Sequence, residues 1–373
     1  MGSIFGDNLK ISIFGESHGP AIGVVIDGLP SGFQIDFDNI SEEMGRRKPG
    51  SDVYSTKRKE PDEVEILSGM YDRKTTGTPL CALITNQDQK SKDYDDLHKL
   101  MRPGHADYSG YVRYKGFNDV RGSGHFSGRL TAPIVFAGAL VSQILKRNNI
   151  IIGSHIDSIF DMKDVGFDKA NITEEQLLEL RNMDIPVNDR SCREEYFNII
   201  SDAKKALDSV GGVVETAIIG LPAGLGSPMF DNVEAKLSSI LFSIPAIKGV
   251  EFGEGFGITT LFGSQANDSL YYENGKILTK TNNNGGINGG ITNGMPIVFR
   301  AAIKPTSSIA KEQETVNIKE SINAKLEVKG RHDACIVPRV VPVIEAATAI
   351  AIFDLLLGQF GVESFMKENL NNG

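Results

Sequence analysis

The chain has 373 residues, 40% of them hydrophobic and 23% charged, which is long enough for a substantial buried core and ordinary for a globular protein. Its formal net charge of -9 argues against a nucleic-acid or membrane-surface partner, because phosphate backbones and anionic headgroups recruit basic surfaces. Cys81, Cys192 and Cys335 are odd in number and far apart, which fits a reducing cytoplasm and leaves no metal-ligating pair, so no metal is expected.

The first ten residues lack a charged flank ahead of an apolar core, so no secretory signal is expected. Leu9, Ile11 and Ile13 then alternate with Lys10, Ser12 and Phe14, which predicts a strand. Gly15-Glu16-Ser17-His18-Gly19 follows and matches the G-x-S-x-G of a nucleophile elbow. An elbow needs a strand-to-helix turn, whereas here Pro20 leads into a β-branched run at 21–26 closed by Asp27-Gly28-Leu29-Pro30. Two strands joined by a tight polar turn are expected instead. Ser17 and His18, as neighbours on an extended chain, are expected on opposite faces, which disfavours a serine nucleophile with its own histidine base.

The turn sequence at 26–32 recurs at 219–224. Each copy follows a β-branched run and precedes an Asp-Asn and a helical segment, at 38–46 and 231–242. Thr76-Gly77-Thr78-Pro79-Leu80 pairs with Asn293-Gly294-Met295-Pro296-Ile297 in the same order. Three landmarks in register predict an internal duplication, with halves of roughly 1–150 and 205–360. Segments 132–146 and 345–357 are apolar on most faces and are expected between sheets; neither reads as a membrane span, since Thr348 and Asp354 interrupt the second. Thr173-Glu174-Glu175-Gln176 is a capping box opening a helix over 177–182, inside a polar excursion at 163–188. An amphipathic helix is predicted over 193–210, stopping at Gly211. The expected architecture is one α+β domain of two related halves, each a sheet packed on buried helices.

Glycine runs at 122–124, 211–212, 253–257 and 285–290 allow close backbone approach to a ligand, or simple turns; none has P-loop or dinucleotide-fold context. Arginines stand beside many of the Gly or Pro turns: Arg46, Arg47, Arg102, Arg121, Arg129 and Arg331. Singly each reads as solvated charge; together their fork-like donors predict a pocket for a small polyanion. His18, His105, His125 and His332 lie in the same stretches without metal-ligand spacing. Imidazole titrates near neutrality, which suits proton delivery to a leaving phosphate.

Five motifs then carry a resemblance. F-G-E-S-H-G (14–19), R-P-G-H-A-D-Y (102–108), R-G-S-G-H-F-S-G-R (121–129), K-P-T-S-S (304–308) and G-R-H-D-A-C-I-V-P-R (330–339) resemble, in that order, the chorismate synthase family. The likeness runs over about 10–357, with connecting segments at 222–226 and 247–251. It implies a β-α-β sandwich of two related halves in a single domain, 1–373, and assembly as a cytoplasmic homotetramer. It implies a lyase that removes phosphate from 5-enolpyruvylshikimate 3-phosphate by anti 1,4-elimination to give chorismate, using reduced FMN without net redox change.

The resemblance also implies roles. His18 protonates the leaving phosphate while Ser17 hydrogen-bonds and orients; His105 serves the reduced flavin near N1, and Asp333 lies near N5. Arg46, Arg102, Arg129 and Arg339 bind substrate. Flavin contacts fall on His125, Phe126, Ser127, Pro245, Ala246, Gly289, Lys304, Pro305, Thr306, Ser307, Ser308 and Arg331. Many family members have Arg-Ser-Ser-Ala-Arg at 125–129 and Asn at 245, so backbone contacts transfer there more readily than side-chain contacts. Arg47 matches one position associated with NADP, but Val53 occupies the second, which leaves NADPH-driven flavin reduction and an external flavin reductase both open. A flavin-independent phosphate lyase and a phospho-ligand-binding protein with structural histidines are the alternative readings.

Overall fold

The structure is a computed structural model that describes residues 2–48, 61–87, 99–328 and 333–363. Its N-terminal strands are β1 (Ile4–Phe5), β2 (Lys10–Gly15) and β3 (Ala21–Asp27), followed by helix α1 (Phe37–Arg47), β4 (Val64–Ser68) and β5 (Leu80–Thr85). They make a five-stranded antiparallel sheet in the order β1-β2-β3-β5-β4. The predicted alternation holds at its start: Leu9 and Ile11 are in the core and Lys10 is exposed. Gly15 ends β2 at φ +100, where a side chain would collide with the Ala21 carbonyl, so the turn into β3 requires glycine. Asp36 caps α1, its carboxylate accepting from the backbone N–H groups of Asp38 and Asn39.

After α2 (Asp107–Arg113) and a kinked turn at Arg121–Phe126, the chain enters α3 (Thr131–Arg147). A second sheet comprises β6 (Ile151–Ile159), β7 (Met162–Lys163), β8 (Gly212–Ile219), β9 (Ile247–Phe252) and β10 (Ile297–Ile303), ordered β9-β10-β8-β6-β7 and again antiparallel. Helices α4 (Glu174–Arg181), α5 (Cys192–Lys205) and α6 (Val233–Leu241) punctuate it, and α7 (Val337–Phe360) follows. The fold is therefore mixed α+β with antiparallel sheets. Helix α3 packs on α7 and also touches β2, β3 and β5 of the first sheet and β6 of the second; α7 touches β6 and β8.

Local boundaries differ from expectation in two places. The helix expected from 345 begins at Val337: Pro338 stands at its second position, where a missing N–H is tolerated, and the helix continues through Pro342, which lies inside it. That extension makes α7, like the stretch ending in α3, long and apolar enough to cross a membrane; the apolar 18-residue windows within them are nevertheless 94% and 83% buried inside the fold. Helix α5 stops at Lys205 instead of reaching 210, since Leu207 turns the backbone left-handed at φ +59. Half of the expected capping box is present: the Thr173 hydroxyl accepts from the Gln176 N–H at 3.2 Å, while the Gln176 side chain donates to Asn188 instead of returning to Thr173.

Strand β6 is buried along its whole length, covered by α7 and by the segment containing α4. Its His155 lies between two carboxylates, with Nδ1 3.0 Å from Asp164 and Nε2 2.9 Å from Glu215. The backbone N–H groups of Phe167, Asn188 and Asp189 donate to the same two carboxylates, tying the polar excursion to the sheet. Burial opposes a charge on His155, but the two acids outweigh it and push the imidazole up to about 9. A folded value above the unfolded one, about 6.5, means the contribution is complete below that pH and is lost as pH rises through about 9. His155→Ala should lower the unfolding free energy by about 3–5 kcal/mol at neutral pH, since two buried carboxylates lose their cation. Denaturant titrations of both proteins at rising pH should show the difference shrinking on the alkaline side.

Candidate active site

A cleft of about 640 Å³ opens between residues 102–106, the turn at 121–128, the approach to β9 at 242–248, the segment 304–308 and the start of α7. This volume falls within the range of about 300–1,000 Å³ typical of small-molecule sites. Its lining includes Arg47, Arg102, His105, His125, Phe126, Ser127, Pro245, Ala246, Lys304, Pro305, Thr306, Ser307, Ser308, Asp333 and Arg339. Segments widely separated in sequence thus share one cavity.

Arg102 stitches one wall. Its Nε and Nη2 donate to the Asp107 carboxylate at 2.8 and 2.7 Å, Nη1 to the Ser308 hydroxyl at 3.1 Å, and Nη2 also to the Ser123 hydroxyl at 2.9 Å. Named from the sequence for substrate, it has Nε and both terminal nitrogens on protein oxygens here. His105 Nδ1 lies 2.6 Å from the same carboxylate. Burial would raise the Asp107 pKa, but hydrogen bonds from Arg102 and His105 hold it well below the usual carboxylate range. Sequence reasoning passed over Asp107, although it stands two residues after His105 within R-P-G-H-A-D-Y.

Other lining residues, Arg47 and Arg339, are cationic. Arg47, at the end of α1, and Arg129 both donate to the buried carboxylate of Asp62. Arg129 Nε also donates to Asn86 at 2.9 Å. Arg339 donates from Nη1 to Asp333 at 2.6 Å and from Nε to the Arg47 carbonyl at 3.1 Å. Burial pulls the Arg47 guanidinium down to about 10; Asp62 opposes the shift, while Arg339 and Arg129 add to it. For Asp62, burial is outweighed by Arg47 and Arg129, and its carboxyl is held low. Among the described residues, three guanidiniums thus stand beside two carboxylates; Arg47, Arg339 and Asp333 line the cleft, while Arg129 and Asp62 do not. That balance favours an anionic ligand. Asp62 and Asn86 were also missed from sequence, where neither belongs to a motif.

Ser17 and His18 do not line the cleft; they lie just beneath it. Gly122, on the cleft wall, approaches so closely that a Cβ there would fall 1.7 Å from His18 Nδ1. Gly122, Ser123 and Gly124 take φ of 56, 71 and 53°, and the Gly124 carbonyl accepts from the Ser17 N–H at 3.2 Å. Ser17 and His18 sit in a turn and both are buried, so the extended-chain argument for opposite faces does not apply to them. Asn86 Nδ2 fixes that turn, donating to the carbonyls of Glu16 and Gly19 at 3.0 and 2.9 Å.

Two other residues named from the sequence are elsewhere. Arg46 bridges Glu43 and Glu345 at 2.8 and 2.5 Å and lines a separate cleft of about 310 Å³, which shares Arg339 with the first. Gly289 turns between the short strands Ile287–Asn288 and Ile291–Thr292 at φ +62, outside the lining of the 640 Å³ cleft. Arg331, like His332 and Val53, falls outside the described residues.

Comparison with known proteins agrees over nearly the whole chain. The family model described as chorismate synthase matches residues 9–357. The chorismate synthase of Thermococcus kodakarensis is 44% identical over 362 residues, covering 97% of this chain and 99% of the relative. That of Lachnoclostridium phytofermentans is 45% identical over 357 residues, covering 95% of each. A crystal structure of chorismate synthase superposes with a TM-score of 0.76 at 29% identity, covering 99% of both chains. The chain belongs to the chorismate synthase family.

Proposed function

We propose that this protein removes phosphate from 5-enolpyruvylshikimate 3-phosphate by anti 1,4-elimination to form chorismate, with reduced FMN and substrate sharing the 640 Å³ cleft. The carrying observation is the meeting, in that cleft, of Arg47, Arg339, His105 and Asp333 with an apolar wall. The residues fit a flavin. Phe126, Pro245, Ala246, Ile336, Val340 and Val343 offer a surface for a planar ring, and Lys304, Ser307 and Ser308 offer donors for its polar end. Ala246 holds φ +78, a strained backbone for a residue with a side chain and one often found at functional sites. When bound, reduced FMN supplies an electron-rich ring that lends electron density to phosphate departure and regains it.

The chain's own groups do the rest. Arg47, Arg129 and Arg339 neutralise the carboxylates and phosphate of the substrate, and neutralisation is what makes phosphate leave carbon readily. For His18, which lies beneath the cleft wall at Gly122, the family likeness carries the role of proton donor to the departing phosphate, with Ser17 orienting. His105 would hold a bound flavin by a hydrogen bond, and Asp333 would assist that flavin in taking up the proton lost from the substrate ring. Arg102 acts by holding Asp107, Ser123 and Ser308 in place. The burial of Arg47 against Asp62 favours a substrate-side role for it over nicotinamide binding, and so an external flavin reductase.

Related halves explain the topology. The order β2-β3-β5-β4 in one sheet repeats as β6-β8-β10-β9 in the other, and β4 and β9 each carry a register shift against their neighbour. Gly28 after β3 and Gly220 after β8 both adopt positive φ, and a Cβ on each would strike the carbonyl of an asparagine, Asn8 and Asn149 respectively. We read a single β-α-β sandwich of halves 1–150 and 205–360 with the excursion at 163–188 between them. Exposed Phe256 and Phe262 support association with further copies of the chain; we read a cytoplasmic homotetramer from the family likeness, and light scattering checks the number of copies.

Anaerobic phosphate release from 5-enolpyruvylshikimate 3-phosphate with photoreduced FMN tests the reaction; repeating it with NADPH and oxidised FMN tests the source of electrons. His18→Ala and His105→Ala should each lower turnover by about 10²–10⁴-fold with the fold intact. Turnover without reduced flavin would favour a flavin-independent lyase, and lost stability in place of lost turnover a non-catalytic binder. Asp62→Ala leaves two buried guanidiniums facing each other and should destabilise the protein by about 3–5 kcal/mol in denaturant titrations.

A further inference from the structure

We propose that Asp107 is the positioning residue of the site: clamped by Arg102, it fixes His105 with a proton on Nδ1 and leaves Nε2 as the nitrogen that works in the cleft. The role in turnover rests on the reaction proposed above; the tautomer does not.

The geometry leaves the carboxylate little freedom. Oδ2 accepts from the Arg102 backbone N–H at 3.0 Å and from Nε at 2.8 Å, while Oδ1 accepts from Nη2 at 2.7 Å and faces His105 Nδ1 at 2.6 Å. Arg102 in turn is anchored by the hydroxyls of Ser123 and Ser308, so the clamp cannot swing away. His105 Nδ1 has two polar neighbours, Asp107 Oδ1 at 2.6 Å and Arg102 Nη2 at 3.1 Å. A lone pair on Nδ1 could accept from the guanidinium, but it would then face an anionic oxygen at the shorter distance. An ionised carboxylate has no proton to give, so Nδ1 must be the donor. His105 lines the cleft and Asp107 does not, so Asp107 acts through the imidazole. With Nδ1–H held, Nε2 is an acceptor in the neutral ring and a donor in the charged one, and its direction is set by the fold before any ligand arrives.

The test begins on the full-length, unmutated protein without flavin. Long-range ¹H–¹⁵N correlation of the imidazoles, with His105 assigned by its loss in His105→Gln, should show protonated Nδ1; a proton on Nε2 alone would overturn the proposal. Asp107→Asn should shift His105 toward the Nε2–H form and lower kcat by about 10²–10⁴-fold with little change in KM. Asp107→Glu should recover part of both signals, and the double variant with His105→Gln should be no slower than His105→Gln alone. Unchanged kcat and tautomer in a folded Asp107→Asn would refute the assignment, as would a double variant much slower than either single one. If the unmutated protein releases no phosphate, the reaction fails while the tautomer still decides the positioning.

Discussion

The site depends on one buried carboxylate shared by two arginines. Asp62 takes donors from Arg47 and Arg129, residues carried by the end of α1 and by the turn into α3. Without a counter-ion, two guanidiniums could not be drawn this close in a partly dry cleft; desolvation and mutual repulsion would drive the segments apart. With one, the pair still carries net positive charge, and Arg339 adds to it through its bond to the Arg47 carbonyl. Among the described residues the arrangement holds more guanidiniums than carboxylates, which is the condition for receiving an anion.

A similar logic runs along the other wall. Arg102 connects the 102–107 segment, the left-handed turn at 122–124 and the 304–308 segment by hydrogen bonds from a side chain that is itself buried. Loops that would otherwise wander are thereby held as rigidly as strands, and the cavity keeps its shape without secondary structure. The glycines serve this closeness. Gly122 lets the wall rest directly on the His18 ring, which no larger residue would permit.

Much of this was legible in the sequence, because it follows local rules. Alternation located β2, the β-branched run located β3, and the Thr173 box located the start of α4. The motif residues His105, Lys304 and Arg339, singled out from the sequence, line one cleft. What stayed hidden depends on partners distant along the chain. Asp62 is 67 positions from Arg129, and nothing in its surroundings distinguishes it from a surface acid. Arg46 and Arg47 are adjacent and look alike, yet helical geometry sends one to Glu43 and Glu345 and the other to Asp62. The start of α7 was missed because proline ordinarily ends a helix; Pro338 escapes that rule by standing at the second helical position, and Pro342 is accommodated inside the helix.

The contact between Gly138 of α3 and Ala346 of α7 has a reach beyond the core. A methyl at 138 would lie 2.3 Å from the Ala346 side chain, so the two helix axes stand as near as backbones allow. One rim of the cleft hangs from the head of α3 and the other from the head of α7. The gauge between the rims is therefore set at a crossing made of two small residues. Bulk added there would act as a spacer, prising open the mouth while leaving every ligand-facing atom chemically untouched.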